Sequence, residues 1–157
     1  MTETPPNDDG VLRCEKQGRC WRDPPVTKEI AATLDRHLRE QRALYPALHT
    51  LELKISGCSS FCGLGEATLL VVGQDDLEPP RYRFSVRTQA GESQWHQIWL
   101  GEALSPEQVP AALSALLDLF LQVSLVDETF QQAVNRLGSK IFAEEIEDLF
   151  AGRRSAR

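Results

Sequence analysis

Four cysteines stand in two tight pairs, Cys14-x5-Cys20 and Cys58-x3-Cys62, with thirty-seven residues between the pairs and no cysteine elsewhere among the 157 residues. Any fold of this chain must account for those two pairs. A cubane iron–sulfur cluster needs four thiolates converging from at least two segments, because each of its irons takes one sulfur. The second pair lies in Leu51-Glu-Leu-Lys-Ile-Ser-Gly-Cys-Ser-Ser-Phe-Cys-Gly63, an alternating strand pattern running into glycine-flanked cysteines. Zinc also takes four thiolates, but its modules favour Cys-x2-Cys knuckles that place both sulfurs on one tetrahedral ion. The x5 and x3 gaps suit a larger object. A structural zinc module and free or disulfide-forming thiols remain the alternatives to a cluster.

The bulk of the chain is that of a compact globular domain. Hydrophobic residues make up 41% and charged residues 25%, enough apolar material to bury a core. The net charge is −6, from 17 basic and 23 acidic residues, which argues against a nucleic-acid surface and for protein partners. No apolar run approaches the roughly eighteen residues that span a bilayer, and the polar, acidic start Met1-Thr-Glu-Thr-Pro-Pro-Asn-Asp-Asp-Gly10 is unlike a signal peptide. A cytoplasmic location is therefore expected, where thiols stay reduced and cysteine sets read as metal sites before disulfides.

Residues 1–11 hold little to bury and are predicted to be disordered. A single domain is expected over 12–150, with 151–157 frayed. Thr27 is placed to cap a helix after Pro24-Pro25, in which Ile30, Leu34 and Leu38 form one apolar face, ending near Tyr45-Pro46. Leu51, Leu53 and Ile55 alternate with polar residues as a half-buried strand, and Leu69–Val72 reads as a strand buried on both faces. Tyr82, Phe84 and Val86 alternate with Arg81, Arg83, Ser85 and Arg87 as a third strand, and Trp95–Leu100 is a fourth. Ser105-Pro106-Glu107-Gln108 is a capping box opening a helix with an apolar stripe from Val109 to Phe120. A second helical region, Thr129–Phe150, should break at Gly138. The pattern predicts an α+β fold: a mixed or antiparallel sheet of about four strands with helices on one side.

Other chemical candidates are weaker. His37, His49 and His96 share no metal-ligand spacing, and surface or packing roles suit them better. Arg13, Lys16, Arg19 and Arg22 surround the first cysteine pair, either as solvated charges or to offset an anionic cluster. Gly63-Leu-Gly65 lacks the third glycine or the lysine of a nucleotide loop. Trp95 and Trp99 lie four apart in a strand and read as core or interface. Together with the Val109–Phe120 stripe, they suggest more apolar surface than one small sheet covers, and hence a dimer or hetero-complex.

The cysteine pattern, the Ser56-Gly57-Cys58 entry, the Cys62-Gly63 exit and the following Ala67-Thr-Leu-Leu-Val-Val-Gly73 resemble the iron–sulfur half-domain of sirohaem-dependent nitrite and sulfite reductases. Pro80-Arg-Tyr-Arg-Phe-Ser85 and the helix start at Ser105 fall where that half-domain has a strand and a helix, so the likeness covers roughly residues 12 to 140. Members of that family commonly have Asn where this chain has Ser60, and their second cysteine leads quickly into a helix, where Trp21-Arg-Asp-Pro-Pro25 intervenes here. Their catalytic unit joins two such halves around the sirohaem, and 157 residues accommodate one.

The resemblance implies a 4Fe-4S cluster on Cys14, Cys20, Cys58 and Cys62 in an electron-transfer module that docks a redox protein. The alternative it implies is a sirohaem-binding subunit of an oligomeric oxidoreductase. Cys62 would then bridge the cluster and the haem iron, and a second copy or a second reductase half would supply the other wall. No catalytic residue is assigned.

Overall fold

The computed structural model describes residues 12–13, 25–56, 69–74, 80–89 and 95–151. The expected termini, the two cysteine loops and the Gln89–Glu92 turn beyond Gln89 lie outside the described residues. The fold is α+β, as the periodicities predict. Five strands form one mixed sheet in chain order: β1 (Leu12–Arg13), β2 (Leu53–Ser56), β3 (Leu69–Gly73), β4 (Tyr82–Gln89) and β5 (Trp95–Leu104). The first three run parallel, β4 runs antiparallel to β3, and β5 runs antiparallel to β4. Four α-helices accompany them: α1 (Pro25–Leu44), α2 (Val109–Val123), α3 (Phe130–Leu137) and α4 (Ser139–Ala151).

Alternation along the strands sorts the sheet into two faces. Leu53 and Ile55 of β2, Leu69 and Val71 of β3, and Tyr82, Phe84 and Val86 of β4 are buried in one cluster with residues from all four helices. The helices therefore cover one side, and that side holds the main core. On the opposite face Leu70 and Val72 are also buried and pack with Trp99, which explains why β3 reads as apolar throughout.

Helix α1 starts two residues before the expected cap. Thr27 lies inside it, and its hydroxyl is hydrogen-bonded to the Tyr82 phenol at 2.5 Å. The stripe Ile30, Leu34, Leu38 is buried, and the next position at the same spacing is Arg42. Its guanidinium donates from Nε to the Leu48 carbonyl at 3.2 Å and from Nη2 to the Leu51 carbonyl, tying the 3-10 turn Pro46–Thr50 to the approach of β2. The aliphatic stem continues the apolar face while the head donates to the Leu51 carbonyl and adds a second donor at the Leu48 carbonyl, which also accepts the Leu51 backbone N–H.

The capping box at Ser105 forms, first closing a 3-10 turn at Pro106–Gln108 and then opening α2. Val109, Ala112, Leu113, Leu116, Leu117 and Phe120 are wholly buried inside the chain. The stripe is spent on the chain's own core, so it supplies no surface for a partner. The break at Gly138 is as expected, since its φ of 88° and ψ of 154° occupy a region essentially reserved for glycine.

Between α2 and α3 the chain turns through Leu125–Glu128, with Asp127 at φ 62°. Arg136 grips both carboxylate oxygens of Glu128 at 2.8 Å and also donates to the Val123 carbonyl at 2.9 Å. Those bonds, with the Leu125 backbone N–H, hold the Glu128 carboxyl down to about 2 from the usual 4.5. A carboxyl depressed on folding contributes stability that is complete above pH 4.5 and disappears as the pH falls toward 2. The thermal midpoint of the wild type should therefore drop further between pH 6 and pH 3 than that of an Arg136→Met variant. Parallel losses in the two proteins would contradict this assignment.

Candidate metal centre

The parallel start of the sheet determines where the cysteine segments leave it. Arg13 lies across from Ile55, and Leu12 across from Lys54, so β1 and β2 finish side by side pointing the same way. Cys14 follows β1 immediately, and Cys58 follows β2 after one intervening glycine. The strands that precede Cys14 and Cys58 thus end side by side at the same end of the sheet. The four cysteines themselves lie outside the described residues, as do Lys16, Arg19, Arg22, Gly63 and Gly65.

Other elements begin or end at that edge of the sheet. Val72 pairs with Ser56, Gly73 with Tyr82, and Tyr82 with Leu104. The Thr27–Tyr82 hydrogen bond brings the first turn of α1 to the same end, and α2 starts a few residues beyond Leu104. Both helices present their N-termini there, where the helix dipole carries partial positive charge. Such an environment favours thiolate over thiol.

The histidines do not join a site. His37 lies on α1 with its Nε2 enclosed and without a hydrogen-bond partner among the described residues, His49 is exposed in the 3-10 turn, and His96 falls in β5. Among the described residues no group of three or more His, Cys, Asp or Glu could hold a metal ion. The metal reading rests on the four cysteines alone.

The side of the sheet turned away from the helices carries polar chemistry that the strand pattern only hints at. Arg83 donates from Nε to the Gly101 carbonyl at 2.6 Å, and its guanidinium carbon stands 4.9 Å from the centre of the Trp99 ring. Gln97 donates to the Ser85 hydroxyl at 2.6 Å. Ser56 and Ser85 are buried on this face, and Lys54 is half-buried. In sequence the only signal is that Arg83 and Ser85 alternate with Tyr82, Phe84 and Val86. Among the described residues no helix is long and apolar enough to cross a membrane.

No family model matches the chain. It is similar to an assimilatory ferredoxin-dependent nitrite reductase of Haloferax mediterranei, 24% identical over 154 residues, a stretch covering 94% of this chain and 26% of that protein. The chain thus spans about a quarter of the relative's length. A likeness running through nearly the whole chain supports a relationship to nitrite reductases.

Proposed function

We propose that this chain is an electron-transfer protein in which Cys14, Cys20, Cys58 and Cys62 hold a 4Fe-4S cluster. The observation that carries the reading is the parallel pairing of β1 with β2, which ends the two strands together one and two residues ahead of Cys14 and Cys58. This supports ligands drawn from two segments forty-odd positions apart in sequence. When bound, such a cluster accepts and releases single electrons. The chain's own part is to hold four thiolates together and to keep them ionised. The sheet anchors the strand that precedes each pair, and the Thr27–Tyr82 bond anchors the helix that follows Cys20. The electron partner is a redox protein.

The similarity to a nitrite reductase across 94% of the chain favours one second reading, a subunit of an oxidoreductase of that kind. There Cys62 would also ligate a sirohaem, with another polypeptide or a second copy forming the rest of the pocket.

Purification without oxygen decides among these readings. A brown protein with about four irons and four sulfides per chain, and broad absorption near roughly 400 nm, is the expected result. Sharp additional bands toward about 600 nm would identify the macrocycle of the second reading. Stoichiometric zinc with no iron, persisting after reconstitution, would overturn both.

A further inference from the structure

The hydroxyls of Thr27 and Tyr82 are hydrogen-bonded at 2.5 Å, between two residues that are 1% and 0% exposed. The bond joins the first turn of α1 to the first residue of β4, fifty-five positions later in the chain. Tyr82 stands at the end of the sheet where β1 and β2 finish: it is opposite Gly73, and Val72, the residue before Gly73, is opposite Ser56. Four residues separate Cys20 from Pro25, where α1 begins, so the chain cannot set Cys20 more than about 18 Å from that residue.

The sheet is irregular next to Tyr82. Tyr82 is opposite Leu104 and Phe84 is opposite Leu100, so four steps along β5 match two along β4. Gly101 lies in this bulge at φ 83°, and the Arg83 Nε donates to its carbonyl at 2.6 Å. Because the surplus is two residues, Leu100 and Leu104 both stay in the core with Tyr82. Bulges recur beside functional sites, where they re-aim a side chain or end a ladder. The two hydroxyls themselves are not what packing calls for. Val and Phe have nearly the same shapes as Thr and Tyr, and neither carries a buried polar group that must be satisfied.

We propose that Thr27 and Tyr82 are positioning residues of the iron–sulfur centre, their bond latching the start of α1, and through it the Cys20 segment, to the end of the sheet that precedes Cys58. This rests on the cluster reading above. Neither side chain is a ligand, and each acts through the segment it ties down. Latching and iron binding are then coupled: a closed bond strengthens iron retention, and bound iron keeps the bond closed.

Iron release to excess chelator, followed by absorption on the full chain loaded without oxygen, tests this with Tyr82→Phe, Thr27→Val and the double variant. Each single variant should release iron about tenfold faster than the wild type, the scale of one buried hydrogen bond. The double variant should be no faster than either, since both changes remove the same bond. Phe130→Leu controls for a merely structural effect: it should lower the urea midpoint by a comparable amount and release iron at the wild-type rate. Release that simply follows the urea midpoint in all the variants, or that loss of either hydroxyl leaves unchanged, overturns the positioning role and leaves the cluster reading standing. A wild type that takes up no iron overturns the cluster reading itself, and the proposal with it. Should the variants fail to fold, hydrogen exchange of the wild type decides. Amides of 29–32, the first that α1 bonds within itself, should lose protection when iron is removed, and protection that does not change overturns the latch.

Discussion

Replacing any one of Cys14, Cys20, Cys58 or Cys62 by Ser is expected to remove most of the bound iron and to lower the stability of the strands that the cysteine segments join. The four thiolates are the only sulfur donors of this kind in the chain, so no spare ligand can substitute for a lost one. Binding free energy at a site that does not exist in the unfolded chain is also folding free energy, and it acts here on a vulnerable element. Among the described residues, β1 pairs with β2 through Leu12 and Arg13, and a group bound through Cys14 in the proposed site would add to that short ladder. Each Cys→Ser variant should therefore show iron well under half of the wild-type content and a lower urea midpoint, while His49→Ala, an exposed change, leaves both alone. The four should behave alike in the electron-transfer reading. In the subunit reading, Cys62→Ser should in addition shift the haem bands, because the axial ligand governs the iron's electronics. A single variant retaining full iron and sulfide would remove that cysteine from the ligand set.

Some of this architecture can be read directly from residue patterns, and some cannot. The alternation of Tyr82, Phe84 and Val86 with arginines and serine is readable because one face of β4 meets the helices and the other does not. The capping box at Ser105 and the break at Gly138 are equally local, each determined by a few neighbouring residues. Thr27 is different. Its position after two prolines resembles a cap, yet its hydroxyl is used fifty-five residues away on Tyr82, and no local rule reports a long-range partner. Arg42 breaks an apolar stripe by identity but not by position, since its stem lies where an aliphatic would. The end of β5 is hidden for another reason: the strand expected over Trp95–Leu100 continues through Gly101, at φ 83° where the register with β4 shifts, to Leu104. The Val109–Phe120 stripe is covered within the chain because four helices, not a bare sheet, share its core. The spacing of the cysteines is plain in the sequence, whereas the parallel pairing of β1 with β2, which ends the strands that precede Cys14 and Cys58 side by side, is topological and has no local signal.

Phe130→Ala should be the most damaging substitution away from the cysteines, costing about 3–5 kcal/mol. Phe130 is buried between two other rings, 5.5 Å from Phe120 on α2 and 5.4 Å from Phe142 on α4, inclined to them by 50° and 59°. The tilted geometry suits aromatic quadrupoles, and the three rings join three helices whose mutual contacts otherwise depend on smaller side chains. Truncation leaves a void bounded by those rings. They cannot readily collapse into it, because each is fixed on its own helix. Against a total stability of roughly 5–15 kcal/mol, such a loss consumes a large share and should lower the thermal midpoint by about 10 °C. Phe130→Leu, which keeps much of the volume, should lose less than half as much. Helix α2 carries the chain about 22 Å from the end where Cys14 and Cys58 emerge before Phe130 is reached. Phe130→Ala should therefore lower the urea midpoint while leaving iron content per folded chain unchanged, the reverse of the pattern expected for the cysteines. A loss under about 1 kcal/mol would mean that the three rings repack freely and that α3 contributes little to the core.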